Sequence, residues 1–339
     1  MTAKELAEKL GVSQAAVSLA FNDKPGISEE TRRRILEGAE TYQVRRHTKK
    51  AITRTETIDV ICYKKHGLVF GETPFFAALM EGIFSSASAL DYAVRISYIY
   101  GEDPAQLEII RNNDGIGIIL IATEMTEDRE IEPVLQIGRP MVILDAPFPY
   151  RSFPSVLISN VQGAYEATKC LLRNGHRFVG HLRSSVTIFN FLEREQGFLA
   201  ACREVPNCRT LTVNVGSTQE TAYADMLSWL KSGPEVPTAF FADNDLIAIS
   251  CIRALKDLKY RIPQDVSIVG FDDIPTSAVS SPALTTVHVP KEELASAAVD
   301  LLRTLIDGSG RVPVNVRIGT TLVERRSVVR MDTESKTDL

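Results

Sequence analysis

Beginning at Ile58, short runs rich in Val and Ile recur in step with stretches of helical pattern, and this alternation limits the fold more than any other feature of the chain. The runs are IDVICY (58 to 63), AVRISYIY (93 to 100), GIGIILIA (115 to 122), MVILD (141 to 145), SVLIS (155 to 159), RFVGHL (177 to 182), TLTVNV (210 to 215), TAFFA (238 to 242) and VSIVGFD (266 to 272). Strands apolar on both faces belong to parallel sheets covered by helices. The spacing predicts helices at 75 to 90, 104 to 112, 127 to 138, 162 to 174, 191 to 203, 219 to 231 and 244 to 258. About 280 residues are too many for one open sheet of such strands, so two doubly wound lobes are expected. We place lobe 1 at 58–159 and 290–318, and lobe 2 at 160–289 and 319–330. The chain then crosses near Ser159 and Asn160 and returns near His288 to Pro290. A helix at 291 to 307 rejoins lobe 1, and a final strand, LVERRS (322 to 327), crosses back.

Residues 2 to 44 are of another kind. Thr2 followed by Glu5 fits a capping box opening a helix that ends near Leu10. Gly11 permits a tight turn, and Ser13 caps a second helix from Gln14 to Phe21. Ser28, with Glu29 and Glu30 behind it, opens a third helix, where carboxylates suit the positive end of the helix dipole. Leu6, Ala7, Leu10, Val12, Val17, Ile27, Ile35 and Ala39 supply a small core. Helix, short Gly-containing turn, helix is the helix-turn-helix plan, although a three-helix bundle with no partner has the same outline.

Charge separates the two parts. Residues 1 to 57 hold 11 Lys and Arg against 8 Asp and Glu, a net +3 in a chain of net −5, so the remainder carries −8. A basic head on an acidic body confines phosphate attraction to one end. Arg32, Arg33 and Arg34 read equally well as a solvated face; Arg45, Arg46, Lys49 and Lys50, just past the third helix, read better as phosphate contacts.

The string GVSQAAVSLAFNDKPGISEETRRRIL resembles the head of the lactose-repressor (LacI/GalR) family of bacterial transcription regulators, through Gly11, Val12, Ser13, Val17, Ser18, Asn22, Ser28, Thr31 and Arg32. The resemblance implies that the second helix lies in the major groove with its first residues on base edges. Gln14 then suits adenine and Ala15 the thymine methyl. Thr2, Ser13, Ser18, Asn22, Ser28, Thr31, Arg45 and Arg46 complete the expected DNA-binding set. Leu19 stands where the family usually has a guanine-reading Arg. Later strings continue the resemblance in order: NGHRFVGHL, REQGFLAA, PTAFFADNDLIAI, IPQDVSIVGFDDI, SPALTTVHVP and LVERRS.

The expected fold is therefore α+β multidomain. An all-α helix-turn-helix head (1–47) and a basic linker (48–57) precede an α/β core (58–339) of two doubly wound lobes, like a periplasmic binding protein. Ligands of open α/β sheets bind at strand carboxyl ends. Arg194, Asn244 and Asp272 are implied by the resemblance as effector-binding. Asp145 ends its strand, and Phe75 and Phe76 offer an apolar wall. Asp245 reads as a helix cap, Asp273 as a solvated turn residue and His176 as a cationic ring meeting helix-end carbonyls.

Function follows as an expectation: a transcription regulator, repressor by family habit, that binds operator DNA as a homodimer and answers to a sugar or related metabolite. The residue types admit a pentose, hexose, sugar acid, nucleobase or phosphorylated sugar. The alternative is an enzyme on a doubly wound fold acting on a sugar or nucleotide; no strand is followed by GxGxxG or GxxxxGK[ST], and no catalytic residue stands out. No metal spacing and no cofactor motif occurs, the five cysteines are scattered as in reduced cytoplasmic proteins, and no apolar run reaches membrane-spanning length. The dimer is expected to use helices 75 to 90 and 291 to 307. Residues 331 to 339 lack heptads, so no C-terminal coiled-coil tetramer is expected.

Val44, Arg46 and His47 replace the Tyr, Pro and Asn that the family carries before a short hinge helix whose Leu wedges into the minor groove; here only Ile52 is near that register. The protein should accordingly bend its operator less than its relatives do, read as a smaller mobility difference between circularly permuted operator fragments; a full central kink would contradict this.

Overall fold

The computed structural model describes residues 3–21, 24–42, 55–71, 74–101, 103–310 and 312–331. The chain divides into two compact units, Met1–Thr55 and Glu56–Leu339.

The first unit contains α1 (Ala3–Leu10), α2 (Gln14–Phe21) and α3 (Glu29–Thr41). Gly11, at φ 64°, makes the turn between α1 and α2. Ser13 Oγ accepts the Ala16 amide at 3.1 Å, and Ser28 Oγ accepts the Thr31 amide at 3.2 Å. Each cap meets an amide that the helix itself leaves unbonded. Leu6, Ala7, Val17, Ala20, Ile35 and Ala39 form the buried core, with Leu10, Val12 and Ile27 against it. So small a core needs other ties. Arg32 supplies one by donating to the Lys24 carbonyl at 2.6 Å, and Arg34 donates to the Leu10 carbonyl. These two arginines secure helix ends and are more than a solvated face.

The second unit holds two six-stranded sheets. In chain order its elements are β1 (Thr57–Lys64), α4 (Pro74–Ala89), β2 (Ala93–Tyr100), α5 (Pro104–Arg111), β3 (Gly117–Ile121), a 3-10 turn (Asp128–Ile131), α6 (Glu132–Leu135), β4 (Met141–Leu144), β5 (Ser155–Ile158), α7 (Asn160–Arg173), β6 (Phe178–Ser184) and α8 (Phe189–Arg203). There follow β7 (Arg209–Val215), α9 (Gln219–Lys231), β8 (Ala239–Ala242), α10 (Asp245–Asp257), β9 (Ser267–Asp272), α11 (Pro275–Val279), β10 (Thr285–His288), α12 (Lys291–Ile306), β11 (Asn315–Ile318) and β12 (Thr321–Val323). The first lobe is ordered β11-β5-β4-β3-β1-β2 and the second β12-β10-β9-β8-β6-β7. Every pairing is parallel except β10 with β12. The central strands β3 and β8 are buried along their whole length, which is why they read as unbroken apolar runs.

Local departures from expectation have identifiable causes. The helix expected at 127 to 138 is a 3-10 turn followed by four helical residues; Pro133 sits in its first turn and Gly138, at φ 73°, lies just beyond it. Strand β10 begins with two threonines and gives no apolar run. Their hydroxyls are met by Asp245 and the Arg325 amide, so they are buried without loss. Strand β11 is a half-exposed edge of four residues, and α11 has only five, too few for a periodic signal. The final strand covers Thr321–Val323 alone.

Helices α7 and α8 approach closely at Gly197, where an added Cβ would stand 2.2 Å from the Val161 carbonyl oxygen. Backbone cannot yield as a flexible side chain can. Gly197→Ala should therefore destabilise the core by about 1–3 kcal/mol, measured as a lower urea midpoint for the full chain at unchanged slope.

Candidate functional site

The strands of both lobes direct their carboxyl ends toward a single small cavity. Its wall is built from Val69 after β1, Phe75 and Phe76 in α4, Thr123 past β3, Asp145 past β4, Ile158 ending β5, Ile188, Asn190, Phe191 and Arg194 around the start of α8, Asn244 past β8 and Asp272 ending β9. All six core residues expected at a ligand site, Phe75, Phe76, Asp145, Arg194, Asn244 and Asp272, are in this wall. Asn190 was not anticipated, although it lies four residues before Arg194 and therefore on the same helix face. Thr123 likewise gave a signal, following β3 where Asp145 follows β4. The cavity measures about 20 Å³, room for roughly one water. Hollows of about 730 Å³ between α4 and α12, and about 540 Å³ between the β4–β5 loop and α8, are larger. Of these three, the small cavity is the one that gathers strand-end polar groups from both sheets.

A chain of hydrogen bonds crosses the lobe boundary here. Arg194 Nε donates to Asn160 Oδ1 at 2.9 Å, its Nη1 donates to the Asp243 carbonyl, and its Nη2 faces Asp272 Oδ1 at 3.2 Å. The guanidinium lies 3.7 Å from the Phe271 ring centroid. Asn160 Nδ2 donates to Asn190 Oδ1 at 3.1 Å, and Asn190 Nδ2 donates to Asp145 Oδ1 at 2.8 Å. Thr123 Oγ1 closes the chain by donating to Asp145 Oδ2 at 2.6 Å. Asp272 Oδ1, though ion-paired, lies outside hydrogen-bond geometry and is a buried acceptor without a hydrogen bond. Both carboxylates occupy left-handed backbone, Asp145 at φ 65° and Asp272 at φ 108°, a strain that clusters at functional sites.

Burial pushes the Asp145 carboxyl up to about 6, with Thr123, Arg194 and Asn190 opposing and Asp272 adding to the rise. Burial raises Asp272 as well, against Arg194 and Lys291. Lys291 Nζ donates to the Asp272 and Val289 carbonyls. The wall thus offers acceptors in excess, two carboxylates against one guanidinium.

Three expectations are corrected. Asn244, not Asp245, caps α10, its Oδ1 accepting the Ile247 amide at 2.9 Å. Asp245 is wholly buried and accepts from the Ile274 amide, Ser277 and Thr286, because the α11 turn and β10 need an internal acceptor. Asp273 is no solvated turn residue: it pairs with Arg325 at 2.6 Å and His288 at 3.0 Å. His176 is buried, and burial lowers its pKa, so the ring is neutral and bonds Thr238 and the Val329 carbonyl. Arg177 meets the helix-end carbonyl of Leu172 instead.

In the first unit, Gln14, Ala15 and Ser18 are exposed together on α2, whereas Leu19 is partly covered and lies against Gly26. The Ser13 and Ser28 hydroxyls serve as caps, and Thr31 Oγ1 bonds Ser28 Oγ at 2.8 Å. Thr2, Asn22, Arg45 and Arg46 lie outside the described residues, as do residues 43–54, including Ile52, and 332–339. Among the described residues no His, Cys, Asp and Glu group could hold a metal, and no helix is long and apolar enough to cross a membrane.

A buried carboxyl raised above its ordinary 3.8 adds stability that is complete below that value and is lost as pH rises through about 6. The stability of the wild type minus that of Asp145→Asn should fall between pH 4 and pH 7 by at least about 1.4 kcal/mol, one pKa unit's worth, in urea titrations. A pH-independent difference would show the carboxyl to be unperturbed.

Comparison with known proteins agrees with this architecture. Residues 168–328 match the family described as periplasmic binding protein-like domain. The HTH-type transcriptional repressor PurR of Photorhabdus laumondii is 29% identical over 338 residues, covering 97% of each chain. Its counterpart in Edwardsiella ictaluri is 28% identical over 337 residues, 96% of each. The lac repressor dimer bound to operator and the anti-inducer ONPF superposes with a TM-score of 0.72 at 20% identity, over 97% of this chain and 99% of that one. A LacI family regulator from Enterococcus faecium with bound ribose gives 0.69 at 24% identity, over 82% and 100%. The similarities to the repressors extend along the head and both lobes alike, and they support the resemblance to the lactose-repressor (LacI/GalR) family of transcription regulators.

Proposed function

We propose that this protein represses transcription from a specific operator, and that a small neutral metabolite with several hydroxyl donors, a sugar, controls its grip by binding between the lobes. The observation that carries this reading is the convergence of Asp145 from one lobe with Arg194, Asn244 and Asp272 from three segments of the other on one cavity. In this division of labour residues 1–47 read DNA, 48–57 link, and 58–339 bind effector and pair subunits in the cytoplasm.

The chemistry of the wall narrows the effector. Asp145 and Asp272 offer oxygen acceptors, so a ligand must bring O–H or N–H donors. Three nitrogens of Arg194 already face Asn160, Asp243 and Asp272. A sugar acid or phosphorylated sugar would add a third negative charge to a buried site with one guanidinium in its wall, which is unfavourable. The aromatic side chains of Phe75, Phe76 and Phe191 offer apolar surface for the C–H face of a sugar ring. Among structurally similar regulators, one is described with ribose and another with cellobiose.

A cavity of about 20 Å³ cannot admit a monosaccharide, so binding requires the lobes to part and close again. That movement would alter the spacing of two heads in a dimer, and hence operator affinity. The subunit face fits the exposed apolar side chains of the first lobe, Leu68, Phe84, Ile96, Tyr98 and Tyr100, which lie on α4, β2 and the adjoining loop. An enzymatic reading has no support: the matched relatives are named as repressors.

Arg194→Lys and Asp272→Asn, each close in size to the native side chain, should weaken the effector response at least about tenfold while leaving operator affinity unchanged, measured by fluorescence anisotropy of labelled operator. In thermal-shift screening of the full chain, neutral sugars should stabilise the wild type, and their uronic acids and phosphates should bind at least about tenfold more weakly (~1.4 kcal/mol). Joint loss of operator binding and effector response would mean that these residues are structural.

A further inference from the structure

The loop that follows β1, Lys65 to Phe70, has almost no regular secondary structure, yet every one of its six amides is bonded within the fold. Glu124 Oε2 accepts the amides of Lys65, His66 and Gly67 at 2.9, 3.1 and 2.9 Å. Its Oε1 accepts those of Val69 and Phe70 at 2.9 and 3.0 Å. The remaining amide, of Leu68, donates to His66 Nδ1 at 3.3 Å. Gly67, at φ 71°, supplies the left-handed residue that curls successive N–H groups toward one point. Such a concavity is an anion nest, and here a side chain of the same lobe fills it. The Glu124 side chain is fully buried. Burial alone would raise its carboxyl, but the amides of Phe70, His66, Gly67 and Val69 outweigh burial and hold it below its ordinary value.

What the loop carries is part of the central cavity. Val69 lines the cavity itself. Phe70 packs on Phe76, another wall residue, with ring centroids 4.3 Å apart. Glu124 also follows directly on Thr123, whose hydroxyl bonds Asp145. One turn beyond β3 therefore presents a hydroxyl to the cavity and a carboxylate to the loop that walls it. A second carboxylate, Glu130, steadies the near end of the loop through Lys65 at 2.8 Å and accepts from Tyr63 at 3.1 Å.

We infer that Glu124 is a positioning residue of the central cavity: its carboxylate shapes loop 65–70 and thereby sets where Val69 stands in the cavity wall and where Phe70 stands behind the wall residue Phe76. The inference rests on the effector reading of that cavity only for its consequence in ligand binding. The role demands a group with two acceptor atoms and no donor. Glutamine, nearly the same shape, turns an NH₂ group toward two or three backbone N–H groups whichever way its amide is set. Aspartate is a methylene shorter but keeps the acceptor chemistry.

The test compares wild type, Glu124→Gln and Glu124→Asp as full chains, by amide hydrogen exchange and by methyl NMR of Val69. In Glu124→Gln, amides 65 to 70 should exchange at least about tenfold faster, while those of β8 and α10 keep the wild-type rate. The Val69 methyl resonances, shifted by nearby aromatic rings, should move in Glu124→Gln and return part of the way in Glu124→Asp. Wild-type behaviour of Glu124→Gln would overturn the inference, as would a larger effect of Asp than of Gln, which would make shape rather than acceptor chemistry decisive. Uniformly faster exchange throughout the core would also overturn it, since the residue would then be a general stabiliser. Both measurements read the loop without any ligand, so failure of the effector reading would appear separately, as absence of binding by D-ribose or other neutral sugars to the wild type.

Discussion

The buried guanidinium of Arg194 is the interaction on which the central architecture turns. It joins the start of α7, the turn after β8 and the end of β9 through Asn160, the Asp243 carbonyl and Asp272, and it rests on the Phe271 ring. A buried charge is tolerable only when its partners surround it, and removing one partner leaves the others uncompensated. Arg194 therefore fixes strand ends from different parts of the chain at one point. The same guanidinium opposes, without overcoming, the burial that raises the Asp272 carboxyl. Through Asn160 and Asn190 its influence reaches Asp145 in the other lobe.

Beneath that cavity the second lobe uses polar groups as structural fastenings. Asp243 is the clearest case: its Oδ1 meets His181 Nε2 at 2.7 Å, its Oδ2 accepts the Ser184 amide at 2.8 Å, and its carbonyl receives Arg194. His181 in turn stacks against both Phe198 and Phe241, with ring centroids 5.2 and 5.6 Å away. Asp245 similarly bonds the Ile274 amide and the Ser277 and Thr286 hydroxyls, and burial raises its carboxyl to about 7. Partnered buried groups of this kind specify one arrangement of the strand ends, since any slip would leave them unbonded at considerable cost. Arg317 and Glu193, one from each lobe, pair at 2.9 Å in the hollow beside the β4–β5 loop.

Much of this could be read in advance, for reasons that differ from element to element. The apolar runs became β1 to β9; central ones such as β1, β3 and β8 are buried on both faces and read as continuous apolar runs, whereas β2 and β7 are part-exposed edges. Helix α9 begins and ends at the expected residues because Thr218 caps it in sequence-local fashion. Strand β10 was missed because Thr285 and Thr286 are polar by composition and become buried only through distant partners, Asp245 and the Arg325 amide. Asp245 and Asp273 were misread for the same reason: a carboxylate after a strand looks like a cap or a turn until its partners, 15 to 52 residues away in sequence, are in place. Glu124 left no trace, since nothing near it in sequence reveals that it will meet five amides of a loop more than 50 residues earlier.

The sequence by itself determined the helix-turn-helix head and the two doubly wound lobes, because caps, turns and apolar periodicity are local and act between residues a few positions apart. Of the residues facing the cavity, Asp145 followed from its place at a strand end, and Arg194, Asn244 and Asp272 from the family resemblance. What only the tertiary structure decided is how those groups are committed: which nitrogens of Arg194 are already bonded, that Asn244 rather than Asp245 is the cap, that the cavity is closed to about 20 Å³, and that a buried carboxylate shapes one wall. Each depends on contacts between segments far apart in the chain, where burial and bonding geometry are set by packing rather than by neighbouring residues.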